Sequence, residues 1–422
     1  MRSTSIDTAV RPVPWADLPA ELCGLVVDRL DAFSALRFPA VCKPWAAAYR
    51  ATPRRLRSGA PTLLMSCSRN RLVPTFALHD VSSSGGKTFH AEAEGLSNRW
   101  WVGGKDDWLV TTDARCDVEL LNPATGDVVR LPSFATIPGA TLLDSLTLRV
   151  APSSAAHLFH RVALCRTPAH RDGGYLAIAI FSSCFLAFTA AGDERWTTLK
   201  KSPHAEAGYQ DAIAHEGKIF AVDSDGNVYF WNMDGGGASD PPTVVRAPEI
   251  RQIGRRWASW PRFNLAPSIS GQRLLLVCMY VERRLIIRAN HVAGGEKKTP
   301  RFHTELLPSS HGARSILLHE LDVGSGGAWR RVDDLGGDGD RALFVGCSYP
   351  FYATAVAPPH ECSHLKANNV YAADLSGRAA VVFDLGQGCA DRCGPLVLTS
   401  SLLLRRPIWF RPATRLEGSA CR

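Results

Sequence analysis

Two short segments contain the residue types of ligand-binding loops, and their spacing decides what they can bind. The sequence GGKT at residues 85–88 ends like a phosphate-binding loop, which needs another glycine at the position of Val81. The sequence DSDGN at residues 223–227 begins like a calcium loop, whose sixth position must be glycine and is Val228. We therefore predict a polar hairpin loop at 85–88 and a hairpin turn at Asp225-Gly226.

A third group has the imidazole and thiol side chains that zinc prefers. These residues are His360, Cys362, His364, Cys389 and Cys393. Their H-x-C-x-H and C-x₃-C spacings match no standard structural zinc site. The sequence therefore predicts loops without metal here.

Residues for hydrolytic chemistry are not arranged in any recognisable pattern. The chain contains neither a G-x-S-x-G nucleophile elbow nor an H-E-x-x-H helix. The adjacent carboxylates Asp106-Asp107 and Asp333-Asp334 would point to opposite faces of a strand, so they are poor acid/base partners. Carboxylates from distant strands could converge, as in glycosidases, but nothing in the sequence selects a pair. We predict no catalytic residue, no cofactor and no metal, and hence a non-enzymatic protein.

Composition limits the classes of partner. The 422 residues carry a formal net charge of +8, with basic residues in short scattered clusters rather than a run interleaved with aromatics. This pattern argues against nucleic-acid binding. The N-terminal residues lack the apolar segment of a signal peptide, and no window reaches the ~18 apolar residues of a membrane span. We therefore predict no membrane partner and a cytoplasmic or nuclear location. In such a protein the twelve widely separated cysteines are expected to be reduced, buried thiols.

Residues 15–50 have the apolar periodicity of short helices. The helical repeat of about 3.6 residues is followed by Leu18, Leu22, Leu25, Val26 and Leu30. Asp31 or Ser34 can cap a second helix, and a third apolar set extends from Phe38 to Trp45, where two prolines shorten or restart the helix. Three helices in so few residues enclose little core, so a partner protein or the rest of the chain must cover them.

From Pro61 onward, short apolar runs alternate with clusters of Gly, Asp, Asn and Pro, which is typical of antiparallel β-structure. A repeated unit of short strands is clearest in Asp107–Pro132 and returns in Ala212–Asn232. The predicted strands include Thr62–Cys67, Trp108–Thr112, Val118–Leu121, Leu176–Phe181, Lys218–Asp223, Val228–Trp231, Leu274–Val281, Leu343–Gly346 and Val370–Ala373. Repeats of about 40 to 50 residues predict a β-propeller with six or seven blades.

The order Leu18-Pro19, Glu21-Leu22, Leu25-Val26 and VCKPW at 41–45 resembles an F-box. Proteins of that family bind the Skp1-type adapter of a cullin-RING ubiquitin ligase, so the resemblance implies this adapter as the partner. It implies that the adapter-facing or module-core residues are Leu18, Pro19, Leu22, Leu25, Val26, Leu30, Val41, Cys42 and Trp45. An ordinary helical hairpin that packs on its own domain remains the alternative.

The segments LLNPATGDVVRLP and GKIFAVDSDGNVYFWN, and the C-terminal Pro407–Pro412, resemble the domain of unknown function 295 that follows the F-box in many plant proteins. This resemblance implies a kelch-like propeller with a face that recognises a protein substrate. Aromatic residues in predicted loops are candidate target-binding residues or blade core: Trp100, Trp101, Trp257, Trp260, Tyr349, Phe351 and Tyr352.

The predicted fold is α+β, with a small three-helix F-box followed by an all-β propeller-like domain. The predicted boundaries are a disordered N-terminus at 1–14, the F-box at 15–50, a basic linker at 51–61, the propeller at 62–412 and a tail at 413–422. The predicted function is the substrate-recognition subunit of an SCF ubiquitin ligase. The alternative is a propeller enzyme or small-ligand-binding protein, for example a glycan-directed one, with a helical appendage.

Overall fold

The structure is a computed structural model in which the chain divides into two compact units, one holding the described residues 15–51 and the other spanning Pro61–Arg411. It describes residues 15–30, 34, 38–51, 62–67, 75–81, 88–137, 159–168, 174–181, 185–202, 208–233, 240–248, 261–281, 283–290, 301–308, 314–322, 327–355, 365–373, 380–386 and 407–411. The predicted metal-free loops with His360, Cys362, His364, Cys389 and Cys393 lie outside these ranges, as do residues 52–61 of the predicted linker and residues 85–87 of the GGKT loop. Trp257, Trp260, residues 1–14 and residues 412–422 also lie outside them.

The N-terminal unit contains two described α-helices, α1 (Ala20–Arg29) and α2 (Lys43–Ala51), with 3₁₀ turns at Trp15–Asp17 and Phe38–Ala40. Pro44 lies in the first turn of α2, where its missing N–H costs no helical hydrogen bond. The predicted middle helix falls mainly on residues 31–33 and 35–37, outside the described ones, so the three-helix arrangement stays a prediction. None of the helices in the described ranges has the length and apolar composition of a membrane span.

The second unit is a β-propeller with six four-stranded blades among its described residues. Blades 1 and 2 contain β1 (Leu63–Cys67), β2 (Thr75–Asp80), β3 (Thr88–Glu92) and β26 (Ile408–Phe410), then β4 (Trp100–Lys105), β5 (Trp108–Thr112), β6 (Val118–Leu121) and β7 (Val128–Leu131). Blades 3 and 4 contain β8 (Phe159–Arg166), β9 (Leu176–Phe181), β10 (Phe185–Ala190) and β11 (Thr197–Thr198), then β12 (Tyr209–His215), β13 (Lys218–Asp223), β14 (Val228–Asn232) and β15 (Thr243–Val245). Blades 5 and 6 contain β16 (Arg262–Pro267), β17 (Leu274–Val281), β20 (Arg314–Asp322) and β21 (Ala328–Val332), then β22 (Arg341–Val345), β23 (Phe351–Thr354), β24 (Asn369–Ala373) and β25 (Ala380–Asp384).

The ring is closed by the C-terminal strand, because β26 pairs antiparallel with β1 and completes blade 1. Strands β26, β4, β8, β12 and β16 contact one another in ring order and line the centre. An additional ribbon of β18 (Arg283–Asn290) and β19 (Arg301–Pro308) is inserted in blade 5. The sequence prediction of six or seven blades is thus narrowed to six.

Blade 6 departs from the order of the other blades. Its second strand in the chain, β23, lies at the edge beside β22, and β22 pairs in parallel with β24. The chain therefore leaves β22 near the centre of the ring and turns back along β23. Gly346 permits this turn for two reasons. Its φ of +146° is a backbone conformation that glycine adopts readily, and a Cβ at this position would lie only 2.8 Å from the Cβ of Ala373.

The DSDGN segment is a hairpin turn between β13 and β14, as predicted. The Asp223 carboxylate accepts hydrogen bonds from the backbone N–H groups of Asp225 and Asn227, both at 2.9 Å, and from the Tyr229 hydroxyl at 2.9 Å. Gly226 takes φ +87°, which glycine adopts without steric cost. The Asp223 carboxylate thus stabilises both the turn and the following strand, β14.

Tryptophan side chains connect neighbouring blades through hydrogen bonds of their indole N–H groups. The indole N–H of Trp196 donates to the Pro132 carbonyl at 2.8 Å, just after the last strand of blade 2. The Trp231 indole reaches Lys200 O at 3.0 Å, and the Trp329 indole reaches Arg246 O at 2.7 Å. Each bond joins one blade to a residue just after the last strand of the preceding blade.

Trp196→Phe is expected to destabilise the propeller by about 1–2 kcal/mol, because it keeps most of the buried ring and removes the hydrogen bond to Pro132. Urea unfolding followed by near-UV circular dichroism measures this loss. Trp329→Phe is the matched control, since its hydrogen bond is exposed and its loss is expected to cost less. Equal shifts for the two variants would contradict the interpretation.

Candidate functional site

The interior of the helical unit holds part of the predicted adapter-binding set. Its buried residues are Cys23, Val27, Phe38, Ala48 and Tyr49, and Leu18, Leu30 and Trp45 pack against them. Trp45 stacks on Phe38 with ring centroids 4.4 Å apart, and its indole N–H donates to Trp15 O at 2.7 Å. Leu18, Leu30 and Trp45, all three in the predicted set, therefore contribute to the core of the helical unit. Cys23 and Val27, at i and i+4 of one helix, were missed, although this spacing alone would have indicated a buried face.

The opposite side of α1 presents apolar side chains to solvent. Leu22, Leu25 and Val26 are 45, 48 and 36 % exposed and recur at i, i+3 and i+4. Pro19 and Val41 are also exposed, and Cys42 is half-buried. We call Leu22, Leu25 and Val26 the α1 stripe. Such contiguous exposed apolar residues are characteristic of protein interaction sites.

The described aromatic residues of the candidate target-binding set lie partly in the core of a blade and partly near the central channel of the propeller. Trp101 is buried in blade 2, whereas Trp100 is half-buried. Tyr349, Phe351 and Tyr352 are half-buried and lie together, in or beside the turn that connects β22 to β23. They are close because they are neighbours in the sequence, and each packs against a different core cluster.

Residues 346–350 fill the centre of the propeller, and we call them the plug. Ser348 forms an isolated parallel bridge with Gly104 of blade 2, and its hydroxyl accepts from the Trp409 N–H at 2.8 Å and donates to Trp409 O at 2.9 Å. The Tyr349 hydroxyl donates to Ala214 O of blade 4 at 3.1 Å. The plug thus occupies the central channel, between the inner strands, where a small ligand of a propeller would bind.

A buried ion pair lies beside the plug. Arg161 Nη1 is 2.5 Å from Asp211 Oδ1, and Arg161 Nη2 donates to Ser348 O at 3.0 Å. The Asp211 carboxylate also accepts from Asn264 Nδ2 at 3.0 Å and from the Leu265 N–H at 2.9 Å. Burial raises the pKa of the Asp211 carboxyl, and the Arg161 guanidinium opposes that shift. This network joins blades 3, 4, 5 and 6.

Cationic groups surround the plug at the end where the inner strands finish. Lys105 Nζ lies 3.8 Å from the centroid of the Tyr349 ring, and burial lowers the pKa of this ammonium group. Arg411 lies over the Phe351 ring at 4.2 Å and pairs with Asp106 at 2.9 Å. Burial raises the pKa of the nearby Cys165 thiol to about 12, so this cysteine is a neutral thiol at pH 7. No local sequence pattern marks these residues, because they come from separate strands.

A family model described as the KIB1-4 beta-propeller matches residues 76–384 of the chain. The chain is similar to the F-box protein At2g26160 of Arabidopsis thaliana, with 22 % identity over 236 residues, which cover 52 % of this chain and 63 % of the relative. The chain therefore matches less than two thirds of that relative's length.

The solved structures that the chain resembles are distant in sequence. The Cps50 (Swd1) β-propeller domain of Myceliophteria thermophila is 12 % identical with a TM-score of 0.29, over 80 % of this chain and 98 % of that one. YCF48 of Cyanidioschyzon merolae is 13 % identical with a TM-score of 0.29, over 71 % and 87 %. At these TM-scores no inference about function follows.

Proposed function

Because the chain belongs to the KIB1-4 β-propeller family, we propose that it is a non-catalytic substrate receptor of an SCF-type ubiquitin ligase. The observation that carries this proposal is the α1 stripe on a helix with the residue order of an F-box. The name of the Arabidopsis relative, an F-box protein, supports it. The proposed partners are a Skp1-type adapter, through it a cullin-RING ligase, and a protein target in the cytoplasm or nucleus.

In this proposal the chain contributes proximity rather than chemistry. The helical unit, residues 15–50, holds the adapter, and the propeller, residues 62–412, holds the target. Fixing both in one complex converts ubiquitin transfer into a quasi-intramolecular step, which lowers its entropic cost. The kelch-like, domain-of-unknown-function-295 type of the propeller stays a prediction.

The predicted adapter-binding residues divide into two roles. We assign direct contact to the exposed residues Pro19 and Val41 and to the α1 stripe. We assign the shaping of that surface to Leu18, Leu30 and Trp45, which pack inside. A residue of the exposed α1 stripe can be replaced by a polar one without opening a cavity. A loss of adapter binding in such a variant would therefore not be due to unfolding of the helical unit.

Leu22→Asp is expected to weaken adapter binding by about tenfold to a hundredfold, because it places a charge on an apolar contact surface. Co-purification of the full-length chain with a Skp1-type adapter, followed by titration calorimetry, measures the change. Val128→Asp is the matched control: Val128 is 48 % exposed on the propeller and is expected to leave adapter binding unchanged. Undiminished binding by Leu22→Asp, or no binding by the wild type, would refute the proposal.

The alternative of a propeller enzyme or small-ligand-binding protein is favoured by no specific contact among the described residues. Its site would be expected at the propeller centre, where the plug contacts blades 1, 2, 3 and 4. Within the described ranges no group of three or more His, Cys, Asp or Glu is placed to hold a metal ion.

A further inference from the structure

The inner strands of the propeller finish in basic side chains at one mouth of the ring. Lys105 ends β4, Arg166 ends β8 and His215 ends β12, while Arg411 directly follows β26. Neighbouring inner strands are in register there, because the Ala214 N–H donates to Cys165 Sγ at 3.3 Å. Four of the six blades therefore contribute a basic side chain, and we call Lys105, Arg166, His215 and Arg411 the basic mouth.

The plug forms part of the floor of this mouth, and two of the cations lie over aromatic rings, one in the plug and one in the residue that directly follows it. Lys105 Nζ lies over Tyr349, and the Tyr349 hydroxyl donates to Ala214 O, the residue before His215. Arg411 lies over Phe351. The cations are thus held at fixed positions by the rings rather than extended into solvent.

Several side-chain nitrogen atoms at the mouth have no hydrogen-bond partner within the described part of the protein. The Nε atoms of Arg166 and Arg411 and the Nε2 atom of His215 are buried without a hydrogen-bond partner among the described residues. Among the residues that the structure describes, Arg411 pairs with Asp106, whereas Lys105 and Arg166 form no ion pair. The Asp106 charge still acts on Lys105 and partly offsets the effect of burial on its pKa. Buried guanidinium donors without a partner are costly, and an anion would accept their hydrogen bonds. Burial lowers the pKa of the His215 imidazole, so this residue adds a polar contact rather than a fixed charge.

We propose that the basic mouth binds an acidic segment of the protein target, with carboxylates of that segment reaching the cations around the plug. The proposal rests on the proposed function for the identity of the target as a protein, whereas anion binding at the mouth stands on the geometry alone. The ligand class is an acidic peptide, and a free anion such as phosphate is the other source of the same chemistry.

The test uses the full-length chain and a fluorescein-labelled deca-glutamate peptide in a fluorescence-anisotropy titration. Lys105→Met is expected to weaken binding by about tenfold, because it removes a positive charge at a partly desolvated site. Lys105→Arg keeps the charge and is expected to bind within about threefold of the wild type. Arg130→Met, at an exposed arginine on the outer strand β7, is the matched control and is expected to bind like the wild type.

Several outcomes would overturn the proposal. These are no binding by the wild type, equal weakening by Lys105→Met and Arg130→Met, or loss of binding in Lys105→Arg with an unchanged melting temperature. Complete displacement of the peptide by inorganic phosphate at equal concentration would assign the site to a free anion instead. Adapter capture is measured in parallel, so that a failed basic mouth with intact adapter binding is distinguished from failure of the receptor function.

Discussion

Replacing Gly103 with alanine is expected to prevent the propeller from closing normally, with a loss of about 3 kcal/mol or more in the free energy of unfolding. An added Cβ at this position would lie 1.7 Å from the carbonyl oxygen of Val162 and 2.8 Å from its carbonyl carbon. Both are backbone atoms of the next inner strand, so no side-chain rotation relieves the clash. The inner strands β4 and β8 would have to separate, and with them the residues around the plug.

The melting temperature and near-UV circular dichroism of the full-length chain measure this effect. Gly126→Ala is the control, because Gly126 has φ +76° but nothing within 4 Å of the added Cβ. Its expected cost is about 1–2 kcal/mol, from backbone strain alone. If the two variants melt at the same temperature, the close approach of β4 and β8 is not as described.

Asp211→Ala is expected to cost about 3–5 kcal/mol, because it leaves the buried Arg161 guanidinium without its carboxylate. Arg161 is 2 % exposed, and Asp211 is fully buried. The variant also removes the acceptor for Asn264 Nδ2 and for the Leu265 N–H, which remain buried. Unpaired buried donors add to the cost of the uncompensated charge.

Urea unfolding compares this variant with two others. Asp333→Ala removes a carboxylate whose partner, Arg331, is largely exposed, so its expected cost is below about 1 kcal/mol. The double variant Arg161→Met/Asp211→Ala removes both charges and is expected to be more stable than Asp211→Ala alone. A double variant that is less stable than the single one would show that the charge of Arg161 is not the source of the loss.

The bounds of several strands were predictable from the sequence. The bounds predicted for β5, β6, β9, β13 and β17 are those observed. These strands are delimited by turns whose chemistry is local, such as Glu216-Gly217, where φ is +45° and +70°. Period-two apolar patterns and turn residues act over fewer than ten positions, which is why one sequence suffices to locate them.

The α1 stripe was predictable as a set of apolar residues but not as a surface. The same periodicity includes Leu18 and Leu30, which pack inside, and Leu22 and Leu25, which are exposed. Which of these residues are buried depends on where α2 and the 3₁₀ turn at Phe38–Ala40 pack against α1. That packing is a tertiary contact. Sequence spacing defines a helical face, whereas burial selects which face remains available.

By itself, the sequence determined the β-propeller class of the large unit, the bounds of five strands and the first helix with its apolar residues. Tertiary structure decided the number of blades, the plug, the Arg161–Asp211 pair and the basic mouth. The pair between Asp106 and Arg411 joins residues 305 positions apart, and nothing local to either residue indicates the other. Ring closure brings such residues together through strand pairing around the whole propeller, so their proximity follows from the complete set of long-range contacts.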